Sequence, residues 1–396
     1  MFVRRLLSLR YRRPLGRHQL AAGLCASLAL ATAIVCQTSS PAAALIVAAN
    51  GIPLEHTAAA ASSPSVGSST AASALPAAGV TAAGAAATEG AAPGVAATPR
   101  AKPVLYPPEV PATGVYLGVD ANYLSSPSVE VEVSAFEQSI GSPVGIASFY
   151  DSFLQVPALQ QMHQLLSTGA IPMVNMKCGA PDDAVAAGLY DTQLRRVAIL
   201  MRDFTGPIFF RWFWEMNLSK TGRHAYCLGE DGAAGYIAAF RHIWSVFHSV
   251  GANNVAFVWA PSDANGIGES TMLFYPGAPY VDWIGADLYD RAQVHKTFGH
   301  EFDAFYRFWH ANAPATPIMI SETGAVGAGP QRTWLKQIAA ALTRKVYMTR
   351  DTPFTQVHAV VYVDAIDKYD YILKPGSYGH MQFSSLIHHQ FFAVRA

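Results

Sequence analysis

Two glutamates in this 396-residue chain each follow an apolar run: Glu215 in FFRWFWEMN and Glu322 in IMISETG. A single carboxyl at the end of a buried strand has an ordinary reading as a salt-bridge partner. Two that face each other can cleave a glycosidic bond. That reaction needs a protonated carboxyl to assist the leaving oxygen and a carboxylate to attack or support the anomeric carbon. Arg211 lies four residues before Glu215, and strand alternation would put it on the same side, where its charge would keep a carboxylate ionised. Trp259 closes another apolar run, in NVAFVWAPSD; its ring is either a platform beneath a sugar or plain packing. Asn217 and Trp214 flank Glu215, and they either touch substrate or shape the loop.

These residues need a scaffold that gathers strand ends. After Tyr106-Pro107-Pro108, short β-branched runs alternate with longer helical patterns, as in a parallel α/β fold. The runs begin at Val115, Pro143, Ile171, Pro207, Asn254, Val281, Pro317 and Val357. Eight runs are what a closed (β/α)8 TIM barrel requires, and a span of about 280 residues is of its usual size. Helical periodicity covers Tyr190 to Phe204, Gly232 to Val250, Phe302 to Ala313 and Trp334 to Met348, with the remaining crossovers shorter. The alternative, an open doubly wound sheet, would want a glycine-rich turn after its first strand, and none is present. In a barrel, Asp120, Tyr150, Asp151, Lys177, Asp263, Asp287, Tyr289 and Asp364 would join the two glutamates at one mouth.

Composition narrows the partners. Basic and acidic residues number 27 each, and only 14% of the chain is charged, so there is no basic field for a phosphate backbone. Nucleic acid is not an expected partner, and a neutral or weakly charged substrate is. The histidines lack the paired spacing of a zinc helix, and neither a phosphate loop nor a Gly-x-Ser-x-Gly elbow occurs. No metal and no cofactor are expected.

The first 45 residues read as a targeting segment: arginines at 4, 5, 10, 12, 13 and 17, an apolar run from Leu20 to Val35, then small residues from Ser39 to Ala44. Cleavage near Ala42 to Ala44 would release an extracellular protein; without cleavage the segment would remain as a membrane anchor holding the protein at the cell surface. Residues 46–110 are rich in Ala, Ser, Thr, Gly and Pro and read as a disordered spacer with no bulky side chains to build a core. Residues 111–396 are then the catalytic domain, expected to be a monomer.

From about Gly114 onward the chain resembles glycoside hydrolase family 26, a retaining (β/α)8 family that includes β-mannanases. The resemblance is carried in order by GLYDTQLRRVAILMRDF leading into FFRWFWEMN, then FVWAPS, FYPGAPYVDWIGADLYD and PIMISETG. It implies that Glu215 is the acid/base and Glu322 the nucleophile of a double displacement acting on a β-linked, β-1,4-mannan-like polysaccharide. Retention sets the two carboxyls about 5 to 5.5 Å apart. Glu215 must start protonated, which the aromatic surroundings of Trp212 and Trp214 would favour. Tyr289 matches the family tyrosine that hydrogen-bonds the nucleophile, and Asp287 a polar position that contacts sugar or holds the network. A core tyrosine is the alternative for Tyr289.

The chain also departs from that family. Mannanases of family 26 usually have His before the acid/base and Asn-Gly after it, whereas here Trp214 precedes Glu215 and Leu218 follows Asn217. Other β-glucans and a native exopolysaccharide therefore join β-mannan as substrates, and an inactive sugar-binding barrel is the reading from outside enzymology. Cys178 and Cys227, the two cysteines outside the targeting segment, are expected to form a disulfide pinning a mouth loop, against two separate buried thiols.

Overall fold

The computed structural model describes residues 104–122, 128–218, 226–262, 269–291, 297–343 and 354–395. Residues 1–45, read from sequence as a targeting segment, and most of residues 46–110, read as a spacer, lie outside the described residues, as does Asp263; residues 104–110 have no regular structure. Eight parallel strands close a barrel in sequence order. They are β1 (Tyr116–Ala121), β2 (Ile146–Ser152), β3 (Ile171–Lys177), β4 (Ile208–Trp212), β5 (Val255–Trp259), β6 (Trp283–Asp290), β7 (Ile318–Ala325) and β8 (Val357–Asp364), and β8 pairs back onto β1 over the whole length of β1. This is the (β/α)8 architecture the sequence pattern requires. The open-sheet alternative is excluded by the β1 to β8 pairing.

The longer helices are α1 (Val129–Ile140), α2 (Asp191–Phe204), α3 (Ala233–Ser249), α4 (Phe298–Asn312), α5 (Ala328–Thr343) and α6 (Tyr378–Ile387). After β2 and β5, shorter helical pieces, Pro157–Gln161 and Glu269–Met272, take the place of a long crossover helix. Helices α4 and α5 begin four and six residues before the periodic pattern read from sequence. The side chain of Thr297 caps α4 by accepting from His300 N, and Pro330 falls in the first turn of α5, where a missing N–H costs nothing.

Strand alternation sorts the core into two layers. Tyr116, Ile146, Met173, Phe209, Trp283 and Met319 pack together inside the barrel, while Leu117, Val174, Phe210, Phe257, Ile284 and Ile320 pack outward against the helices. Toward the C-terminal ends of the strands the inward positions become polar: Asp120, Ser148, Asn175, Arg211, Asp287 and Ser321 are all buried there. A polar upper layer on an apolar lower one is what converts a packed barrel into a site.

One irregularity matters for that layer. Along β7, Ile320 pairs with Ala286 and Glu322 with Asp287, so β7 carries one residue more than β6 at this point, and its pairing with β8 slips in the same place. By alternation Met319 faces inward and Ile320 outward, which would send Ser321 in and Glu322 out. The bulge turns both inward, a common use of an extra residue beside an active site. Gly285 makes room for it: a Cβ there would lie 2.7 Å from Ser321 Oγ and 2.6 Å from Ala260 Cβ.

Candidate active site

Glu215 lies beyond β4, in a turn that the sequence pattern had run together with the strand. β4 ends at Trp212, and both Phe213 (φ 46°) and Glu215 (φ 55°) adopt the left-handed region. That conformation costs roughly 1–2 kcal/mol for each L-residue, so the surroundings must hold it. Phe213 N donates to Met176 O at 3.0 Å on the neighbouring strand, and Glu215 N donates to Ala260 O at 2.8 Å. The turn separates the two tryptophans. Trp212 faces outward and stacks on Tyr236 of α3 at 5.5 Å, so it does not line the surroundings of Glu215 as the sequence suggested. Trp214 turns inward, 5.1 Å from the Tyr150 ring and 5.1 Å from the Arg211 guanidinium.

Arg211 is the hub of the mouth. It is fully buried, and its donors are spread over three partners. Nε donates to Asn175 Oδ1 at 2.6 Å, Nη1 to both Asp287 oxygens at 2.8 and 2.9 Å, and Nη2 to Glu322 Oε1. Asn175 is itself fixed by donating to Ser148 Oγ at 2.7 Å and Phe149 O at 3.1 Å. Asp287 also accepts from Ser321 Oγ at 2.6 Å, the residue that the β7 bulge turns inward. Asp287 is thus a member of the network, held beneath the surface at 1% exposure.

Glu322 receives a donor on every side. Tyr150 Oη donates to Oε1 at 2.8 Å and Tyr289 Oη to Oε2 at 2.6 Å, in addition to Arg211. Burial alone would raise its pKa, but the Arg211 charge and these hydrogen bonds outweigh it and hold the carboxyl below the usual glutamate range. Glu215 moves the other way. Burial and the nearby Glu322 charge push it up to about 7, against the opposing influence of Arg211, Arg291 and a hydrogen bond with Ser262. Two carboxyls in one mouth are thereby separated into one acid and one anion.

The remaining expectations divide. Tyr289 is a ligand of Glu322, as the resemblance implied. Asn217 exchanges hydrogen bonds with the Ser262 backbone at 2.8 and 2.9 Å, tying the loop after β4 to the end of β5, so of its two readings the structure favours loop shaping. Trp259 is not at the mouth. Its position on β5 is outward, and its ring is completely buried against Tyr275 and Trp309 of α4; the sugar-platform reading is withdrawn in favour of packing. Sequence reasoning noted Tyr150 and Asp120 only as strand-end polar residues and passed over Asn175, Ser321 and Arg291. The first three point inward by strict alternation and were legible on that basis. Ser321 depends on a bulge, and Arg291 on the path of the chain after β6, where its guanidinium lies 4.8 Å over the Tyr289 ring.

Cys178, just after β3, and Cys227, in the segment between β4 and α3, are joined by a disulfide with Cα atoms 6.0 Å apart. Asp182 reinforces the junction, since its N donates to Cys227 O at 2.8 Å and its Oδ1 accepts from Gly229 N at 2.7 Å. The bridge closes a loop with a sequence separation of 49. Replacing both cysteines with serine should lower the unfolding free energy by about 4 kcal/mol, the chain-entropy value for a loop of this length. Denaturant melts of the oxidised protein and the double variant measure it, and equal midpoints would mean that the bridge does not constrain the unfolded chain. Among the described residues no group of three or more His, Cys, Asp or Glu side chains is arranged to hold a metal ion.

Residues 166–360 match the family model described as glycosyl hydrolase family 26. Among characterised proteins, Endoglucanase H of Acetivibrio thermocellus is 29% identical over 161 residues, covering 38% of this chain and 17% of that protein. A β-1,3-xylanase from a Vibrio species is 24% identical over 111 residues, covering 26% and 22% respectively. The matches thus span less than a quarter of either relative's length. Among solved structures, a family 26 β-mannanase from Bacteroides ovatus superposes with a TM-score of 0.53 at 15% identity, over 71% of this chain and 90% of that one. At that identity the likeness is one of fold.

Proposed function

We propose that the protein, whose residues 166–360 match glycosyl hydrolase family 26, hydrolyses the O-glycosidic bonds of a polysaccharide as a retaining β-glycanase. Glu215 is its acid/base and Glu322 its nucleophile. The observation that carries this reading is the contrast between two carboxyls in one mouth: Glu322 accepts from Arg211, Tyr150 and Tyr289, which hold it low, whereas burial and the Glu322 charge push Glu215 up to about 7.

The reaction follows from the hydrogen bonds. Glu322 Oε1 already accepts from Arg211 and Tyr150, whereas Oε2 accepts from Tyr289 alone and keeps a lone pair for the anomeric carbon. As that bond forms, Glu215 gives its proton to the glycosidic oxygen and the aglycone leaves as an alcohol. Esterification removes the charge on Glu322. One of the influences holding the Glu215 pKa up disappears with it, so Glu215 becomes a carboxylate able to take a proton from the incoming water. Water attack on the glycosyl ester then restores both groups.

The substrate assigned here is β-linked and β-1,4-mannan-like, with β-glucan and β-xylan as the comparison arms. The family model and the mannanase fold support mannan; the Endoglucanase H and β-1,3-xylanase relatives support the others, as does the departure from the family pattern at Trp214, where the mannanases usually have histidine. The arginine-rich, apolar N-terminus and the Ala/Ser/Pro/Gly-rich spacer support action outside the cytoplasm, on the cell surface or in the medium. The test is reducing-end release from β-mannan, β-glucans, xylan and a native exopolysaccharide, followed as a function of pH. On the true substrate, kcat/KM should fall as pH rises through about 7, where Glu215 loses its proton. It should fall on the acid side only below the ordinary glutamate value of about 4.3. Binding without release of reducing ends on all arms would overturn the enzyme reading in favour of a sugar-binding barrel.

A further inference from the structure

The mouth holds a second arginine that the two-glutamate chemistry does not use. Arg291 directly follows the last residue of β6 and is exposed, yet its side chain is held at two points. Its guanidinium lies 4.8 Å over the ring of Tyr289, the tyrosine that donates to Glu322, and its Nε donates to the Tyr371 hydroxyl at 3.4 Å. Tyr371 is a firm post. It lies in the segment after β8, is 3% exposed, and its carbonyl accepts from Gln331 of α5 at 3.2 Å and from Tyr362 of β8 at 3.0 Å. Gly324 of β7 lets the two tyrosines approach, since a Cβ there would lie 3.0 Å from the Tyr371 ring and 3.4 Å from the Tyr289 ring; the rings stand 4.9 Å apart. The row continues to Tyr369, 6.1 Å from Tyr371, and Lys368 places its ammonium 5.5 Å over that third ring. A row of three tyrosines thus carries a cation at each end.

Among the described residues neither Arg291 nor Lys368 forms a salt bridge. Asp287 and Glu322 pair with Arg211, and Asp370, in the same segment as Lys368, pairs with Lys374 at 3.2 Å. With Nε turned to Tyr371, the four hydrogens on the two terminal nitrogens of Arg291 remain, in the planar fork that meets a carboxylate with two parallel hydrogen bonds. The ring contact and the Tyr371 bond already restrain that fork, so less freedom is lost when it binds. Arg291 is also near enough to Glu215 to act against the rise of its pKa, which sets the fork beside the chemistry and not on remote surface. We propose that Arg291, with Lys368 farther along the row, binds carboxylate groups carried by the sugars of an acidic β-glycan, so that uronic-acid-bearing chains are favoured over neutral ones. The inference rests on the reading of this mouth as a glycanase site and names its substrate class. The balanced charge of the whole chain does not oppose it, because such attraction acts within a Debye length, about 10 Å at 0.1 M salt.

The test uses pairs of polymers that differ only in charge: β-mannan and β-glucan, each beside a sample in which a fraction of the C6 hydroxymethyl groups has been oxidised to carboxylate. Reducing-end release by the full chain at neutral pH and low salt should give a kcat/KM about tenfold higher on the oxidised member of a pair that is cut, the scale of a hydrogen bond to a charged group. Added salt should erode that advantage. Arg291→Gln keeps a flat polar tip without the charge and should bring the ratio close to unity, whereas Lys368→Gln, which removes a single ammonium, should lower it less. Taking the ratio within each variant cancels any shift of Glu215 that follows from loss of the Arg291 charge. A parent protein that cuts the neutral member as fast, or a ratio unchanged when both residues are replaced, overturns the proposal. Equal losses on both members in Arg291→Gln would mean that the charge serves Glu215 and not the substrate, which overturns it as well. The binding arm needs no turnover. Glu322→Ala should hold oligosaccharides from the oxidised polymers more tightly than their neutral counterparts in calorimetry, and adding Arg291→Gln should abolish the preference. If the parent protein cuts no polymer, it is the function reading that fails, and the binding preference still decides the anion site: its absence overturns the proposal, its presence upholds it.

Discussion

Replacing Glu322 with alanine is expected to lower turnover by about 10⁴-fold or more, on the scale seen when a covalent nucleophile is removed, while leaving polysaccharide binding in place. The loss has a diagnostic sequel. Azide can enter the space left by the carboxylate, attack the anomeric carbon directly and yield a glycosyl azide of inverted, α configuration. Glu215→Ala should respond differently. Its covalent intermediate can still form from a substrate with a good leaving group, such as an aryl glycoside, and azide then attacks that intermediate to give the β-azide. Azide products of the same configuration from both variants would contradict the separate roles. A Glu322→Ala protein with unchanged turnover would sink the assignment altogether. The effect should be large because Glu322 is also where Arg211, Tyr150 and Tyr289 converge, so that both tyrosines lose this acceptor and Arg211 keeps only Asn175 and Asp287.

Much of this was readable from the chain alone, for identifiable reasons. Eight β-branched runs imposed eight strands, two-residue alternation placed Arg211 on the inner face of β4, and Asp287 and Tyr289 were picked out as strand-end residues that match family positions. Alternation was silent where the backbone ceased to alternate. Glu322 faces inward only because β7 carries an extra residue, and no apolar pattern in IMISETG reports a bulge. Phe213 and Glu215 take positive φ without being glycine, so nothing in FFRWFWEMN marks the turn that sends Trp212 outward and Trp214 inward. Trp259 was misplaced for a related reason: being aromatic at a strand end does not fix which side of the strand the ring leaves from. Counting from Ala256 and Val258, which pack inside the barrel, would have put Trp259 on the outside. The irregular positions are also the strained ones, and strain at such a turn persists only where neighbouring strands hold it. The hydrogen bonds from Glu215 N to Ala260 and from Phe213 N to Met176 do that here.

Arg211→Met should be the most damaging substitution for the fold, and its effect on the pH profile separates the electrostatic role of this residue from its packing. The guanidinium is buried with Asp287 and Glu322 at its donors, and methionine fills part of the volume while leaving two carboxyls without a cation. Removing one partner from a buried ion pair costs about 3–5 kcal/mol because the remaining charge is uncompensated, and thermal or denaturant unfolding measures that loss. Adding Asp287→Asn to Arg211→Met should recover part of it, since the second change removes one of the stranded charges. Activity should not recover, because Glu322 still lacks its cation. The sign of the pH effect follows from the same charge. Arg211 lowers the pKa of both Glu322 and Glu215, so without it both rise. The acid limb, where Glu322 must ionise, moves to higher pH, and so does the alkaline limb, where Glu215 must stay protonated. A residue that only filled space would leave both limbs where they were, and a profile of unchanged position in the surviving activity would deny Arg211 its electrostatic role. Arg211→Lys gives an intermediate expectation. It keeps the charge, and with it most of the position of the limbs, but a single ammonium cannot reproduce the planar fork that reaches Asn175, Asp287 and Glu322 at once.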